Sequence, residues 1–573
     1  MLHIELLRQL WKIFLGQSWL EGMLNTVSGE TKTILISGKT NKLPPQQVEY
    51  KENDLSSLSF EEKLQASLMA WAQTSSGFIS KIDEQKFYEQ IYANLGNIAL
   101  KPEIVESVII RLKKTELTNL VNLFRKLEDF YRRWCNGEFI DAAPENNLPQ
   151  KQMLQLQAEN MAIGLRQVDI NTGLNVIILL LELHRLFEEQ NDSLQTEISF
   201  YPSEKRNSDN FFTSRLLRII NYSDSIEIGN FTNVVGYFLK GAQLEGVYLG
   251  DANLAHANLS DANLSSAYLG DANITGIQAK KVNLSNANLG DANLSGADLR
   301  EANLTNCDIT QCNLSGVDLS GANLSNADLG DANLAGANLT GANLAGANLT
   351  GANLRDATLS GANLKNAILF GANLSDSNLI GVEISYADLC RADLSGANMR
   401  GSTLQGTNLS DSILFSTNLT QAILLAADLS YAKLNGANLN GANLQEANIV
   451  GADLGGVNLS QVILNEADLS GANLSDANLR NADLSHAILL GTDMSHANLN
   501  NANLSGSNLS VGIFTCADLS YTDVSYAILC GADLSEANLE NMTWNENLEW
   551  ENVRGLDKAV NIPQALKQKL GLS

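Results

Sequence analysis

The sequence is poor in cysteine, proline and aromatic residues. Its 573 residues include 6 Cys and 7 Pro, and Phe, Trp and Tyr together make up 6%. The cysteines show no CxxC spacing, so we expect free thiols in a reducing compartment and no disulfide framework. The longest apolar run, Val176 to Leu181, is far shorter than the roughly 20 residues that span a bilayer. The first residues lack the basic start of a signal peptide, and we expect a cytoplasmic protein.

Positive charge and histidine are also scarce. Lys and Arg number 38 against 64 Asp and Glu, which gives a net charge of −26. This charge disfavours direct binding of nucleic acid or of an anionic membrane. The five histidines form no HExxH motif or ligand cluster, and the phosphate-loop-like segment Thr33 to Thr40 lacks the first glycine of that motif. We therefore predict no catalytic residue, no metal site, no cofactor and no enzymatic activity.

What the sequence has in abundance is a five-residue phrase that repeats from about Tyr237 to Trp544. In its plainest form the phrase reads Ala252-Asn253-Leu254-Ala255-His256. An apolar residue, mostly Leu, falls at nearly every number ending in 4 or 9, and a small residue falls two positions earlier. About 60 such pentapeptides follow one another in one register without an insertion.

A period of five fits neither a helix nor a straight strand. On an α-helix five residues advance about 500°, and on a strand an odd period sends alternate Leu side chains to opposite faces. The core can form only if a short extended segment points Ala and Leu inward and a bend then restores the direction. The other three positions would face water and supply turn chemistry. The pattern therefore predicts a β-solenoid with a Leu/Ala core.

These residues resemble the pentapeptide-repeat family, whose consensus is A-(N/D)-L-x-x. The resemblance implies a right-handed quadrilateral parallel β-helix with four pentapeptides per coil, which gives about 15 coils and a rod of about 70 Å. Some members of the family imitate the shape and charge of duplex DNA and engage DNA gyrase. The phrases Phe130 to Cys135 and Thr172 to Asn175 also resemble a region that precedes pentapeptide repeats in cyanobacterial proteins. That region has no assigned biochemistry and implies only a cyanobacterial source.

Helical signals dominate the chain before the repeat. We predict an α-helical domain over 1–190, a linker and solenoid cap over 191–236, the solenoid over 237–545 and a capping helix within 546–573. Helices are expected to begin at Ser59, Asp83, Pro102 and Leu117, and to cover 150–165 and 173–189. The apolar face of residues 1–23 is expected to dock onto the protein itself, and peripheral membrane contact is the less favoured alternative.

Two departures from the repeat are candidate partner-binding features. With 20 residues per coil, Asp251, Asp271, Asp291 and Asp331 stack in one column, interrupted by Gln311. This column either serves solubility or presents an acidic face to a basic partner. The second feature is a set of outward apolar residues in the later repeats, which either reflect strand propensity or mark a docking face, although by their phase they spread over three faces. They are Ile368, Phe370, Ile413, Phe415, Ile423, Ile488 and Ile528.

The leading functional hypothesis is a non-enzymatic protein-interaction scaffold. In this interpretation the rigid acidic rod presents repeated side chains, while the helical region recruits or anchors a protein partner that the sequence does not identify. The alternative is a DNA-mimicking modulator of DNA gyrase or of another basic DNA-binding enzyme. The oligomeric state stays open.

Overall fold

A computed structural model describes residues 58–73, 81–190, 198–209 and 211–570. The apolar stretch 1–23 and the segment Thr33 to Thr40 lie outside these residues. The chain divides into two compact units, a helical unit formed by residues up to Phe200 with Asn221–Phe238, and a second unit formed by Tyr201–Ile220 with the residues from Leu239 onward.

The described helices confirm that a helical region precedes the repeats. They are α1 (Phe60–Gln73), α2 (Lys81–Leu95), α3 (Pro102–Leu112), α4 (Leu117–Cys135), α5 (Leu148–Ala158), α6 (Leu165–Gln190), α7 (Arg215–Asp224), α8 (Asn230–Val235) and, near the carboxyl end, α9 (Gln564–Leu570). A 3₁₀ turn over Gly236–Leu239 follows α8. The helices α7 and α8 lie in the stretch 191–236, where the sequence indicated a weakly patterned linker.

Helix α6 is the central helix of the helical unit and packs against α2, α3, α4, α5 and α8. It is long and apolar enough to cross a membrane, but 89% of that stretch is buried inside the protein. Asn175 explains part of this packing, because its side chain donates to the carbonyls of Leu95 (2.8 Å) and Ile98 (2.7 Å) and so caps the end of α2.

Two helix boundaries predicted in this region are wrong. Helix α5 ends at Ala158, not near residue 165, and α6 begins at Leu165, eight residues before the predicted start at Gly173. Glycine at 173 suggested a helix boundary, but it lies inside α6 beneath the indole ring of Trp134. A Cβ atom there would overlap that ring, so the glycine serves close helix packing.

The repeats form a solenoid in which each residue lies next to the residue 20 positions later. Parallel backbone bridges join Gln243 to Asn263 and continue to the pair Asp523 and Thr543. This spacing confirms four pentapeptides per coil. Each bridge is one residue long, and no continuous strand occurs in the described residues. The inward Ala and Leu side chains are buried, including Ala279, which occupies a Leu position. The right-handed sense of the coil stays a prediction.

The solenoid has four faces, named by the outward residue at the centre of each bridge. Face 1 begins at Gln243, face 2 at Tyr248, face 3 at Asn253 and face 4 at Asn258, and each column continues every 20 residues. At the corners between faces, one residue per pentapeptide has a positive φ, and this residue is often glycine.

Coiling continues past the end of the regular repeat. The last bridges join Ile528 to Glu549, Asp533 to Arg554 and Asn538 to Val560. Their sequence spacing exceeds 20 because residues are inserted in this coil. The stretch 546–573, predicted as a capping helix, therefore contains part of a final coil before α9.

Candidate interaction surface

Stacked asparagine side chains cover much of the solenoid surface. In face 1, Asn343 donates to Oδ1 of Asn323 (3.0 Å), and Asn363 donates to Oδ1 of Asn343 (3.0 Å). The same Oδ1 of Asn343 accepts the backbone N–H of Ala345 (3.3 Å), two residues on. We call these columns asparagine ladders. Their polar side chains thus stabilise both the turn and the stacking of coils.

Aspartate fits the ladder as an acceptor only. Asn348 donates to Asp328 (2.9 Å), and the N–H of Gly330 donates to the same carboxylate (3.1 Å). A second Asp in the next coil could not donate, so the ladder favours Asn beside Asp. Asp nevertheless stacks on Asp at two places, Asp298 with Asp318 and Asp308 with Asp328.

Isoleucine at a ladder position gives up these hydrogen bonds, because its side chain has no donor or acceptor. Seven isoleucines occupy such positions in the later coils: Ile368, Ile413, Ile423, Ile463, Ile488, Ile513 and Ile528. Five of them are followed two residues later by an apolar residue or Cys, where Asn is often followed by Ser or Thr that donates to it. At five of the seven positions the hydrophobic replacement therefore involves two residues.

The structure places the predicted apolar residues on three faces. Ile368, Ile488 and Ile528 lie on face 2, Ile413 lies on face 3, and Ile423 lies on face 1. Phe370 lies two residues after Ile368, at the corner after face 2. The guanidinium carbon of Arg391 lies 5.8 Å from the centroid of its ring. Phe415 lies two residues after Ile413, at the corner after face 3, and is exposed.

Sequence reasoning missed Ile463 and Ile513, which are exposed at ladder positions. Their signal was the same Ile in place of Asn, but polar residues follow them two positions later. Leu490 and Val511, at the corner between faces 2 and 3, are also exposed. With these residues included, face 2 and the corner after it carry much of the exposed apolar surface of the later coils.

Face 4 offers a contrast on the same coils. Its ladder column is asparagine at seven successive positions, from Asn378 to Asn498. Hydrogen bonds join Asn418 to Asn398 (3.2 Å) and Asn458 to Asn438 (3.0 Å). In these coils face 4 is therefore polar, whereas the other three faces carry isoleucine at some ladder positions.

The predicted aspartates share the corner between faces 2 and 3 in the early coils. Asp251, Asp271, Asp291 and Asp331 all have a positive φ, between 55° and 61°, and all are exposed. No described residue forms an ion pair with any of them. The column therefore presents unpaired negative charge along one edge, next to the stacked rings of Tyr248 and Tyr268, whose centroids lie 4.8 Å apart.

Large corner side chains are accommodated by glycine in the next coil. The ring of Tyr386 lies over Gly406, where a Cβ atom would come within 2.8 Å of it. Tyr431 lies in the same way over Gly451 (2.7 Å), and the imidazole of His256 lies over Gly276 (2.7 Å). At these three corners a glycine 20 positions later leaves room for the large side chain.

The helical unit contains a buried carboxylate that sequence reasoning did not identify. Asp169 on α6 accepts hydrogen bonds from the hydroxyls of Tyr92 (2.7 Å) and Tyr222 (3.1 Å) and from the indole of Trp134 (3.1 Å). Burial raises the pKa of Asp169 to about 6, although these hydrogen bonds oppose the shift. The three donors come from α2, α4 and α7, so Asp169 serves to join helices. No spacing in the sequence brings these four residues together.

A shallow groove of about 430 Å³ lies between α2 and α5 in the same unit. Long polar side chains line it, and two of them, Lys151 and Glu89, form an ion pair at 3.3 Å. Among the described residues, no group of three His, Cys, Asp or Glu side chains could hold a metal ion.

Comparison with known proteins identifies the repeat. The family model for pentapeptide repeats (8 copies) matches segments between 239 and 543 that together cover just over half of the chain. The solved structure of HetL, a pentapeptide repeat protein involved in heterocyst differentiation regulation from the cyanobacterium Nostoc sp. strain PCC 7120, is 33% identical over 44% of this chain and 90% of HetL, with a TM-score of 0.22.

Two further solved structures are similar. A pentapeptide repeat protein from the Arabidopsis thaliana thylakoid lumen is 34% identical over 18% of this chain and 67% of its own, with a TM-score of 0.10. QnrB1, a plasmid-mediated fluoroquinolone resistance protein, is 22% identical over 36% of this chain and 96% of its own, with a TM-score of 0.20. No curated protein sequence matches the chain. The extent of the family match shows that the chain belongs to the pentapeptide repeat family.

Proposed function

We propose that the chain is a non-enzymatic protein-interaction scaffold in a reducing cytoplasm. The observation that supports this proposal is the replacement of ladder asparagines by seven isoleucines, of which five are exposed and Ile413 and Ile528 are half-buried. Each replacement gives up hydrogen bonds worth about 0.5–1.5 kcal/mol apiece and exposes apolar surface. Face 4 keeps its asparagines over the same coils, so the solenoid as such does not need isoleucine there. A partner that covers these side chains would offset the loss.

The test compares two double variants of the full chain as baits in a cyanobacterial extract. Ile368→Asn with Ile413→Asn restores the ladder residue at one exposed and one half-buried position. Gln278→Asn with Thr358→Asn makes two matched changes on face 4. We expect the first variant to lose partners that the wild type and the second variant retain. Equal capture by all three baits, quantified by mass spectrometry, would contradict the proposal.

The helical unit is proposed to recruit or anchor. Residues 1–238, which include the Asn221–Phe238 part of the helical unit, used as a bait should capture proteins that a solenoid-only bait does not. An identical set of captured proteins for the two baits would count against this role.

A second candidate is a DNA-mimicking modulator of DNA gyrase or of another basic DNA-binding enzyme, and the unpaired aspartate column favours it. DNA mimicry is the second candidate because the charge density of the solenoid is lower than that of duplex DNA. Residues 239–543 contain 30 acidic and 10 basic residues, a net charge of −20. Over about 15 coils spaced at about 4.8 Å, this is one net charge per roughly 3.6 Å, about half the density of duplex DNA.

A gyrase supercoiling assay with the full chain tests the second candidate. If mimicry operates, the wild type should inhibit supercoiling or protect the enzyme, and Asp251→Asn with Asp271→Asn and Asp291→Asn should weaken that effect. Asp428→Asn with Asp468→Asn and Asp518→Asn is the control of equal charge change. No effect of the wild type at high micromolar concentration would exclude mimicry of this enzyme.

A further inference from the structure

Five apolar residues lie at or beside the corner between faces 2 and 3 in the last regular coils, around Asn508, which separates Ile488 from Ile528 in the face 2 column. We call this patch the apolar corner. Ile488 and Ile528 lie on face 2 two coils apart, and Ile513 lies on face 3 between them. Leu490 and Val511 occupy the corner itself and are exposed. The patch therefore spans about 10 Å along the solenoid axis.

Val511 is held in a costly backbone conformation. Its φ is 52°, in the left-handed region, and it is the one β-branched residue with positive φ in the described part of the chain. This conformation costs about 1–2 kcal/mol for a residue with a Cβ atom. The neighbouring coils place Gly491 and Gly531 at the same corner position, both with positive φ. The solenoid therefore carries a strained valine, 53% exposed, where glycine would fit without strain.

Carboxylates surround the apolar corner. Asp468 precedes Ile488 in its column, and Asp493 and Asp533 lie on either side of Ile513. Each accepts through Oδ1 from the serine two residues on, at distances of 2.9–3.0 Å to the backbone N–H. No described residue donates to the second oxygen of these three carboxylates. Hydrogen bonds from Ser535, with smaller effects of the nearby cations Arg554 and Lys558, hold the pKa of Asp533 below its ordinary value.

The negative charge extends well beyond these three residues. Between Lys433 and Arg554 the chain contains 15 acidic residues and one basic residue, Arg480. A surface of this kind attracts a partner that combines apolar side chains with positive charge.

We propose that the apolar corner binds an amphipathic helix of a partner protein, one whose apolar stripe is flanked by Lys and Arg. This inference rests on the proposed scaffold function and specifies the chemistry of the partner. Helix positions i and i+7 lie about 10.5 Å apart, which matches the length of the patch between Ile488 and Ile528. The flanking basic residues of such a helix would face Asp468, Asp493 and Asp533.

Charge argues against two other occupants. A second copy of the chain, seated patch to patch, would bring the three aspartates of each copy together at unfavourable close range. An anionic membrane surface would be repelled in the same way. A cationic helix meets neither obstacle.

The experiment measures binding of a fluorescein-labelled synthetic helix of Leu and Lys, with its leucines in one stripe, to the full chain by fluorescence anisotropy. A scrambled peptide of the same composition lacks the stripe. The triple variant Ile488→Asn, Ile513→Asn and Ile528→Asn removes three of the five apolar side chains of the patch. It installs the residue that ladders elsewhere carry, so the fold is preserved. The control triple, Ile368→Asn, Ile423→Asn and Ile463→Asn, makes the same changes outside the patch.

We expect the striped peptide to bind the wild type and the control triple alike, and the patch triple at least about ten-fold more weakly, a difference of about 1.4 kcal/mol. The scrambled peptide should bind all three proteins weakly. Absence of binding to the wild type, equal binding to the patch triple, or equal binding of the scrambled peptide would each overturn the inference. Partner capture that still depends on Ile368 and Ile413 would leave the scaffold function standing.

Alkylation of native cysteines localises the peptide in the wild-type chain. Cys530 lies two residues after Ile528, whereas Cys390 and Cys516 lie outside the patch, and all three are partly exposed. Iodoacetamide followed by mass spectrometry gives a separate rate for each thiol. Bound peptide should slow Cys530 and leave Cys390 unchanged. Equal protection of Cys390 and Cys530, or protection of neither, would contradict binding at this corner.

Discussion

At the scale of single residues, the corners of the solenoid depend on what lies one coil away. Most corner residues adopt positive φ, which costs about 1–2 kcal/mol with a Cβ atom and little for glycine. Glycine also leaves room for a large side chain in the preceding coil, as Gly406 does for Tyr386. The backbone effect and the space effect of glycine can be separated, because at some corner glycines a Cβ atom would meet no side chain of the preceding coil.

Gly406→Ala and Gly361→Ala form such a pair. Both positions have a similar φ, 61° and 65°, but a Cβ atom at 361 would meet no atom within 4 Å. We expect Gly361→Ala to lower the free energy of unfolding by about 1–2 kcal/mol. Gly406→Ala should cost about 1 kcal/mol more, because Tyr386 must change rotamer. Denaturant titration checks both, and adding Tyr386→Ala should remove the difference; an unchanged difference would contradict the contact.

Asp169 predicts a pH dependence of the helical unit. Its pKa in the folded state is about 6, above the ordinary aspartate value of 3.8, so the folded state holds this proton more tightly. The associated stability is present at low pH and is lost as pH rises from about 4 to about 6, a change of about 3 kcal/mol.

Asp169→Asn removes this titration and leaves the Trp134 N–H or Tyr222 hydroxyl with a poorer acceptor, at a cost of about 1–3 kcal/mol. Compared with the wild type, the variant should therefore be more destabilised at pH 5 than at pH 7 to 8. Thermal unfolding followed by tryptophan fluorescence over this range checks the trend. A deficit that stays constant with pH would contradict the raised pKa.

At the scale of structural elements, the asparagine ladder links turn formation to coil stacking. Asn343 makes both kinds of bond, since it accepts from Ala345 and Asn363 and donates to Asn323. Alanine removes all three, whereas aspartate keeps the two that Asn343 accepts. The two substitutions therefore separate accepting from donating.

We expect Asn343→Ala to lower the free energy of unfolding by about 1–2 kcal/mol at neutral pH. Asn343→Asp should cost about half as much, because only the bond to Asn323 is lost. Denaturant midpoints of the two variants and the wild type check this order. Equal midpoints for both variants would assign the whole effect to the donated bond.

The elements also show what the sequence could predict. The Leu and Ala columns follow from periodicity alone, because burial depends only on which positions point inward. The ladder does not follow, because its partners lie 20 residues apart and the coil length came only from the family resemblance. The outward asparagines were accordingly assigned to turns alone, although they also join neighbouring coils by hydrogen bonds. The roles of Gly173 and Asp169 could not be predicted for a related reason. Each residue contacts side chains of other helices, and the sequence does not show where those helices lie.

At the scale of the whole molecule, net charge opposes compactness. Two carboxylates stacked at about 4.8 Å repel by about 0.9 kcal/mol in water of low ionic strength. Asp251, Asp271 and Asp291 form two such pairs, and the solenoid as a whole carries a charge of −20 between 239 and 543. Salt shortens the Debye length from about 30 Å at 10 mM to about 8 Å at 150 mM.

We therefore expect the unfolding temperature to rise between 10 and 150 mM NaCl. Asp271→Asn removes the charge shared by both pairs, so it should raise stability by about 1 kcal/mol at 10 mM and by less at 150 mM. Circular dichroism of thermal unfolding checks both statements, with choline chloride as the control for sodium-specific effects. A temperature that falls with salt would show that self-repulsion does not limit stability.

The strict 20-residue spacing fixes the distance between binding residues along the solenoid axis. Removing one coil of 20 residues upstream of the apolar corner would move that corner by about 4.8 Å along the axis and keep it facing the same way. Removing five residues would instead turn it by one face, towards a different direction in space. Changes in repeat number can therefore adjust distance and orientation separately, without altering a single contact residue.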